Sequence, residues 1–437
     1  MPGSVGAVSM HERGDVMSER LEKGLNVLRA EMDKKVMSFF SSCVRCGICA
    51  ESCLFYTETD DPRYTPIYKT EPMRKLWKNE YSFWGKLSSK LGISKPMTEA
   101  DLADWEELVY DGCSMCGRCS MVCPVGVDIS MVIFKVKHAL AVAGFSPEGL
   151  VGATKRAVEI GSPMGITMKA VLATIKHAEE NTGLKIPLDV EGADYLALLS
   201  SNEIALYPEY LESLAKIFDH AGVSWTLSSA AYEATNSGLQ IGNKAIAGQL
   251  VQRVVDGAEK LKVKNVISPE CGHAYTALRW EGPNFIGKAY PFRVVHILEL
   301  LDELQAQGKL KTTGMETDRL TFHDPCSIVR RGGIQAQPRN LLRPITENFV
   351  EMTDHGSMNW CCGGGGGVSS NERAEDLKHT AFNRKKSQIE EIGVDAVVTA
   401  CSNCRMVMEE GLEYNEMDIP LLGLTELIAE HLAEKPQ

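Results

Sequence analysis

Two runs of eleven residues, CVRCGICAESC (43–53) and CSMCGRCSMVC (113–123), constrain this chain more than anything else in it. Each spells CxxCxxCxxxC, placing Cys43, Cys46, Cys49 and Cys53 in one group and Cys113, Cys116, Cys119 and Cys123, followed by Pro124, in the other. In this pattern three closely spaced thiolates wrap one iron–sulfur cube, while the fourth, carried away on a helix, reaches the other cube. The spacing therefore predicts two cubane [4Fe-4S] clusters. Zinc also takes paired CxxC, but a tetrahedral zinc uses four ligands and gives no reason for eight in this form. Gly47 and Gly117 inside the runs suit a backbone wound closely onto sulfide, where a Cβ would collide.

The rest of the composition narrows the setting. With 437 residues, 44% apolar and 24% charged, the chain is long enough for about three domains and ordinary for a globular protein. Its net charge of −12 argues against broad nucleic-acid binding, which needs a basic face. No apolar run reaches the length of a bilayer span; the best, 129–145, is broken by Lys135, Lys137 and His138. The first twenty residues show no export signal, so the sequence reads as cytoplasmic, where 14 cysteines mean metal or redox chemistry rather than a disulfide framework.

Leu21, Leu25, Leu28, Met32 and Val36 recur at helical steps ahead of the first cysteine run, and helical patterns continue from Cys123 to about residue 190. Beyond Pro187, short β-branched runs (YLALLSS, VKNVISPEC, RLTFHDPC, VDAVVTACSNC) alternate with helical stretches such as Glu209–Ala221, which is α/β patterning with parallel strands. A weak repeat sets VKNVISPECGHA beside DAVVTACSNC, Cys271 opposite Cys401 and Ala274 opposite Cys404. The expected fold class is α + α/β. A helical arm (1–42) leads to an all-helical two-cluster ferredoxin domain (43–127), a helical connector (128–190) and a duplicated α/β domain (191–437). The last divides into a degenerate half (191–290) and a cluster-binding half (291–437).

The other cysteines are Cys326, the adjacent pair Cys361 and Cys362, then Cys401 and Cys404, with Cys271 apart from them. Vicinal cysteines can be core filler, since a free thiol packs like a small hydrophobe. Five thiols at predicted strand ends, beside the glycine run 363–367, favour a site. Gly363, Gly364 and Gly365 suit a loop whose bare backbone approaches a cluster and leaves room for a substrate sulfur. The five-cysteine spacing is the CCG motif, and it resembles the catalytic subunits of heterodisulfide reductases and their relatives. That resemblance implies that Cys326, Cys361, Cys362, Cys401 and Cys404 hold a non-cubane [4Fe-4S] cluster that binds and splits disulfides. The two N-terminal runs, separated by 59 residues and flanked by helical pattern, resemble the α-helical ferredoxin type of respiratory iron–sulfur subunits. Taken with FHDPC, WCCGGGGGV and the insert PRYTPIYKTEPMRKLWK, the chain most resembles the DsrK branch of this family. This branch is the cytoplasmic component of a membrane redox complex linked to dissimilatory sulfite reduction.

The resemblance further implies a membrane cytochrome b partner (DsrM-like) that oxidises menaquinol, and a small sulfur-carrier protein, DsrC, whose disulfide or trisulfide is the substrate. It places the chain peripherally on the cytoplasmic face of the inner membrane. Glycolate, lactate and glycerol-3-phosphate oxidation complexes share the architecture, so a flavin-linked relay subunit without disulfide chemistry stays open. His323 and Asp324 before Cys326 are candidates to supply protons, against a structural hydrogen-bonded pair; His273 is weighed in the same way. Cys271 is either a substrate-contacting thiol or a relic of the lost half. Arg330 and Arg331 are candidates to hold an anionic substrate. The insert from Arg63 to Lys95 carries Lys69, Arg74, Lys75, Lys78, Lys86 and Lys90 interleaved with aromatics, a candidate docking surface for the membrane partner. The cluster is expected to face an open cleft lined by 363–367, with His323 and Arg330 nearby.

Overall fold

A computed structural model describes residues 10–94, 96–314 and 316–434, with side chains from residue 19 onward except Ser89. The export-signal reading of the first residues and the Lys95 end of the insert fall outside the described residues. The chain divides into two compact units, Met1–Pro147 and Glu148–Gln437. The division lies within the segment expected as a helical connector.

The first unit is helical, and no strand occurs among the described residues before Tyr195. The amphipathic pattern through Leu28, Met32 and Val36 does bury those three residues, but as two helices, Met10–Ala30 and Lys34–Ser42. The break has a local cause: the Asp33 carboxylate accepts from the Val36 amide at 2.9 Å and caps a new helix. Lys135 Nζ fixes the break from the side, 2.9 Å from Glu31 and 2.8 Å from Asp33. The apolar helix Ile129–Ala143 is the core of this unit, burying Ile129, Val132, Ile133, Val136 and Leu140. Among the described residues no single helix is long and apolar enough to cross a membrane.

The second unit holds two small sheets, every ladder parallel. The first, ordered β2-β1-β3-β4, contains β1 (Tyr195–Ala197), β2 (Trp225–Thr226), β3 (Asn265–Ser268) and β4 (Arg293–His296). The second, ordered β5-β6-β7, contains β5 (Leu320–His323), β6 (Ala396–Thr399) and β7 (Leu421–Gly423). β5 and β6 are buried at every position, which is why they read as continuous apolar runs rather than alternating ones. The runs YLALLSS, VKNVISPEC, RLTFHDPC and VDAVVTACSNC become β1, β3, β5 and β6. The first sheet closes with β4, so it extends past residue 290 to His296. In each sheet one strand runs straight into a cysteine that starts a helix. Cys271 follows β3 with φ −138° and ψ 110°, and Cys401 follows β6 with φ −148° and ψ 110°.

Candidate iron–sulfur sites

In the first unit the eight cysteines converge on two pockets, and each pocket borrows its fourth cysteine from the other run. One is lined by Cys43, Cys46, Cys49 and Cys123, the second by Cys53, Cys113, Cys116 and Cys119. The two loops have matching backbones. Arg45 (φ 58°) and Met115 (φ 56°) occupy the left-handed region at the same place in each CxxC, as do Gly47 (φ 85°) and Gly117 (φ 79°) one residue after it. Short helices, Ile48–Glu51 and Arg118–Met121, start from those glycines. Two non-glycine residues held at positive φ cost about 1–3 kcal/mol each, so the structure around both loops must fix their winding. Burial and the neighbouring thiols Cys43, Cys46 and Cys123 push the Cys49 thiol up to about 11. Burial does the same to Cys119, with Cys116 and Cys113 adding to it. Four mutually repelling thiols give up their protons when a cation takes the centre, so the donor set fits an iron–sulfur cube in both pockets.

The two pockets differ electrostatically. Lys69 is fully buried beside the second, its Nζ 3.5 Å from Cys53 Sγ and hydrogen-bonded to the Gly112 carbonyl. Lys137 is buried in the same unit with its Nζ 4.4 Å from the Tyr110 ring centroid; burial pulls it down to about 8 against the pull of Cys113 and Asp111. At the first pocket Arg45 is half-exposed and paired with Glu71, and Cys46 is exposed. The expectation that Lys69 is one of the surface charges of the insert is therefore corrected. Arg63 pairs with Asp104, Arg74 with Glu71 and Lys75 with Asp101, leaving Lys78, Lys86 and Lys90 as its cations without a carboxylate partner among the described residues.

In the second unit the ends of β5 and β6 and the 361–367 loop bring five buried sulfurs together. Cys326 and Cys361 Sγ lie 3.8 Å apart, and Cys362 and Cys404 Sγ 3.3 Å. Hydrogen bonding with Cys361 and then with Cys404 holds the Cys362 thiol well below its ordinary value, and bonding with Cys404 lowers Cys401. His323, at the end of β5, is wholly buried and neither ring nitrogen makes a well-formed hydrogen bond. What faces it is sulfur: one ring nitrogen and the Cys362 and Cys404 Sγ atoms all lie within 4.8 Å of one another. Burial, with Lys385 nearby, lowers His323 and keeps it neutral. A buried set of thiols beside an imidazole with no well-formed hydrogen bond is a donor set that fits a metal centre.

Asp324 does not pair with His323. Its carboxylate takes both guanidinium nitrogens of Arg339 and the Gly356 amide at 2.6 Å, which makes it a structural anchor. Arg330 is likewise turned inward, its Nε 2.6 Å from the Ser357 carbonyl and its Nη2 on Asn359. Lys385 was not legible as part of this site. It is fully buried with Nζ on Gln388 Oε1 at 2.7 Å, lowered to about 8 by burial while Asp324 and the cluster thiols pull it back up. Nothing in KHTAFNRKKSQIE distinguishes it from the solvated lysines of an amphipathic helix.

The glycine run is tight rather than open. Gly363 (φ 99°), Gly366 (φ 63°) and Gly367 (φ 92°) are left-handed, and the Gly363 amide lies 3.4 Å from Cys361 Sγ. A Cβ on Gly364 would stand 2.4 Å from Val407, and one on Gly367 2.8 Å from Leu150. Gly363, Gly364, Gly366 and Gly367 are buried and Gly365 is half-buried. The open cleft, about 710 Å³, lies elsewhere than expected: its walls include Cys271, His273, Ser200, Ser402, Asn403 and the 368–371 stretch, not the glycine run, His323 or Arg330. Ser402 and Asn403 sit between Cys401 and Cys404 on the first turn of Ser402–Tyr414, so the cleft wall adjoins the cysteine pocket on the Cys271 side, although none of the five cysteines lines it. His273 joins the two, its Nε2 accepting from the Gly366 amide at 3.3 Å and its Nδ1 3.3 Å from the Gln240 side-chain amide.

Comparison with known proteins agrees with this division of labour. Residues 40–127 match the 4Fe-4S dicluster domain and residues 320–409 the cysteine-rich domain of the CCG type. An Hdr-like menaquinol oxidoreductase iron–sulfur subunit from Archaeoglobus profundus is 25% identical, over 93% of this chain and 83% of its own length. A subunit of the dihydromethanophenazine:CoB–CoM heterodisulfide reductase of Methanosarcina barkeri is 26% identical, over 90% of this chain and 93% of its own length. The EtfAB:quinone oxidoreductase of Syntrophomonas wolfei is 27% identical, over 86% of this chain and 56% of its own length. The chain thus carries 4Fe-4S and cysteine-rich domains and is similar along most of its length to heterodisulfide reductase-like iron–sulfur subunits.

Proposed function

We propose that this chain is the catalytic iron–sulfur subunit, of DsrK type, of a membrane-associated respiratory complex in sulfate or sulfur metabolism. Electrons come from a quinol-linked, DsrM-like cytochrome b and leave by reducing a disulfide or trisulfide, that of the small carrier DsrC. Two cubane [4Fe-4S] clusters and a non-cubane one, when bound, pass electrons singly and present iron to sulfur. The observation that carries the reading is the pocket of five buried cysteines and one orphaned histidine lying behind the wall of an open cleft. The names of the relatives support it, one belonging to a menaquinol oxidoreductase and another to a heterodisulfide reductase. In this reading the two sheets are the halves of a duplicated unit, Cys271 standing where Cys401 stands.

Reduction of RSSR to two RSH consumes two electrons and two protons, so the site must deliver protons where thiolates form. His273 lines the cleft; its Nε2 accepts from the Gly366 amide, so its proton sits on Nδ1, beside the Gln240 side chain, and Nδ1 is the atom that hands a proton to a departing thiolate. Cys271 lines the same wall, and burial and then Cys401 raise its thiol far above the ordinary range. It acts there as a neutral thiol contacting substrate rather than as a nucleophile. His323 and Lys385 face the cysteines from the closed side and orient them, out of reach of the cleft.

A flavin-linked relay is the second reading, favoured by the closure of the pocket, where Cys361 and Cys362 are 2% and 1% exposed. Anaerobic turnover with reduced viologen separates the two. The reductase reading expects viologen oxidation by oxidised DsrC or by a low-molecular-weight heterodisulfide, lowered about tenfold or more in His273→Gln at unchanged iron content. Oxidation by neither substrate leaves the relay.

A further inference from the structure

The helix Phe83–Lys90 is built inside out. Its one buried residue among those described is Gly85, whose missing Cβ would stand 1.5 Å from the Lys78 carbonyl oxygen, so only glycine lets this helix pack against the end of Glu71–Glu80. The large apolar side chains point the other way. Phe83 is 74% exposed, Trp84 76%, Leu91 65% and Ile93 70%, with Leu87 also exposed. At 3.6 residues per turn, positions 83, 84, 87 and 91 fall within an arc of about 100°, and position 85 on the opposite side. The Phe83 and Trp84 rings brace each other at 5.3 Å, so the strip does not fold back on itself. A water-soluble surface gains nothing from showing five large apolar groups in eleven residues.

The charges beside the strip are as selective. Elsewhere in the insert Arg63, Arg74 and Lys75 pair with carboxylates and Lys69 is buried beside Cys53, and the nearby Glu80 is taken by Arg29. Lys78, Lys86 and Lys90 are exposed and have no carboxylate partner among the described residues, in a chain of net charge −12. Lys86 and Lys90 fall at the edge of the apolar arc, where long stems let ammonium groups reach outward while the rings sink.

We propose that the helix Phe83–Lys90 and the turn after it are a membrane-surface anchor, with the strip of Phe83, Trp84, Leu87, Leu91 and Ile93 seated in the headgroup boundary of an anionic bilayer and Lys78, Lys86 and Lys90 on its phosphates. The chemistry selects lipid over a protein partner: five exposed apolar side chains, Trp84 among them, flanked by three cations without carboxylate partners among the described residues, match the boundary of an anionic bilayer in both hydrophobicity and charge. This anchor is independent of the disulfide reading. It assigns to the lipid itself a surface whose sequence pattern suggested docking on a membrane protein.

The test is flotation of the whole, cluster-loaded chain with vesicles of phosphatidylcholine containing about a third phosphatidylglycerol, set beside vesicles of phosphatidylcholine alone. Binding to the anionic vesicles is expected, weakened by salt, with at least a tenfold loss of partitioning in Phe83→Ser/Trp84→Ser and a smaller loss in Lys86→Gln/Lys90→Gln. All these side chains are exposed, so iron content serves to show that the variants stay folded. Failure of the wild type to float, or flotation of Phe83→Ser/Trp84→Ser equal to wild type, overturns the proposal. So does binding that appears only with a purified membrane protein of the complex, which makes the strip a protein interface.

Discussion

Lys69 Nζ lies 3.5 Å from Cys53 Sγ, and the lysine is buried although it belongs to the most basic stretch of the chain. Cys53 and then Cys113 raise this lysine against the burial that lowers it, so it stays a cation beside the pocket of Cys53, Cys113, Cys116 and Cys119. A fixed positive charge favours the reduced form of whatever that pocket holds. In Lys69→Gln, EPR-monitored redox titration is expected to show one cubane signal shifted down by on the order of 100 mV, the other unmoved. Lys69→Arg should recover part of the shift. Equal potentials in Lys69→Gln and wild type would remove the lysine from any part in setting the order of the two clusters.

The cysteine pocket depends on backbone that only glycine supplies. Gly367→Ala combines a positive φ of 92° with a Cβ 2.8 Å from Leu150, and should cost roughly 2–4 kcal/mol of stability, read as a lower urea midpoint. Leu150→Ala in the same chain should return the steric part and leave the backbone part, giving a favourable coupling of about 0.5–3 kcal/mol in the double-mutant cycle. Additive effects would show that the contact is not what requires glycine there.

What the sequence makes legible follows from how local each signal is. CxxCxxCxxxC is a local pattern, and the exchange of Cys53 and Cys123 between pockets follows from it. β1, β3, β5 and β6 lie in apolar runs that end at turn residues or cysteines, whereas β2 is only two residues long and β4 and β7 run directly into the helices that start at Ile297 and Leu424, so no turn marks their ends. The Lys69, Lys137 and Lys385 positions are set by tertiary packing: a lysine next to buried sulfur has the same neighbours in sequence as one in water. The open cleft lies away from the glycine run for a related reason. A glycine run signals absent side chains, and here the space they leave is filled by Leu150 and Val407 rather than by solvent.

His296 gives the fold an acid limit of its own. Burial lowers it to about 3, its Nδ1 accepts from the Leu298 amide at 3.2 Å, its Nε2 has no partner, and its ring meets Tyr275 edge-on at 5.0 Å. The unfolded chain takes up this proton near pH 6.5 and the folded chain only near pH 3. The contribution to stability is therefore complete above about pH 6.5 and is lost progressively as the pH falls towards 3. His296→Asn keeps a side-chain acceptor for the Leu298 amide and removes the titration. Its urea midpoint should fall less steeply than that of the wild type between about pH 6.5 and 5; parallel profiles would place the acid sensitivity elsewhere.

The central claim is that the pocket of Cys326, Cys361, Cys362, Cys401 and Cys404 holds a third four-iron cluster, and iron and sulfide analysis of anaerobically prepared protein tests it most directly. The account predicts about twelve irons per chain in the wild type, four in each of three clusters, and about eight in Cys361→Ala/Cys404→Ala with both cubane signals intact. Eight irons in both proteins, with the first unit fully loaded, would contradict it.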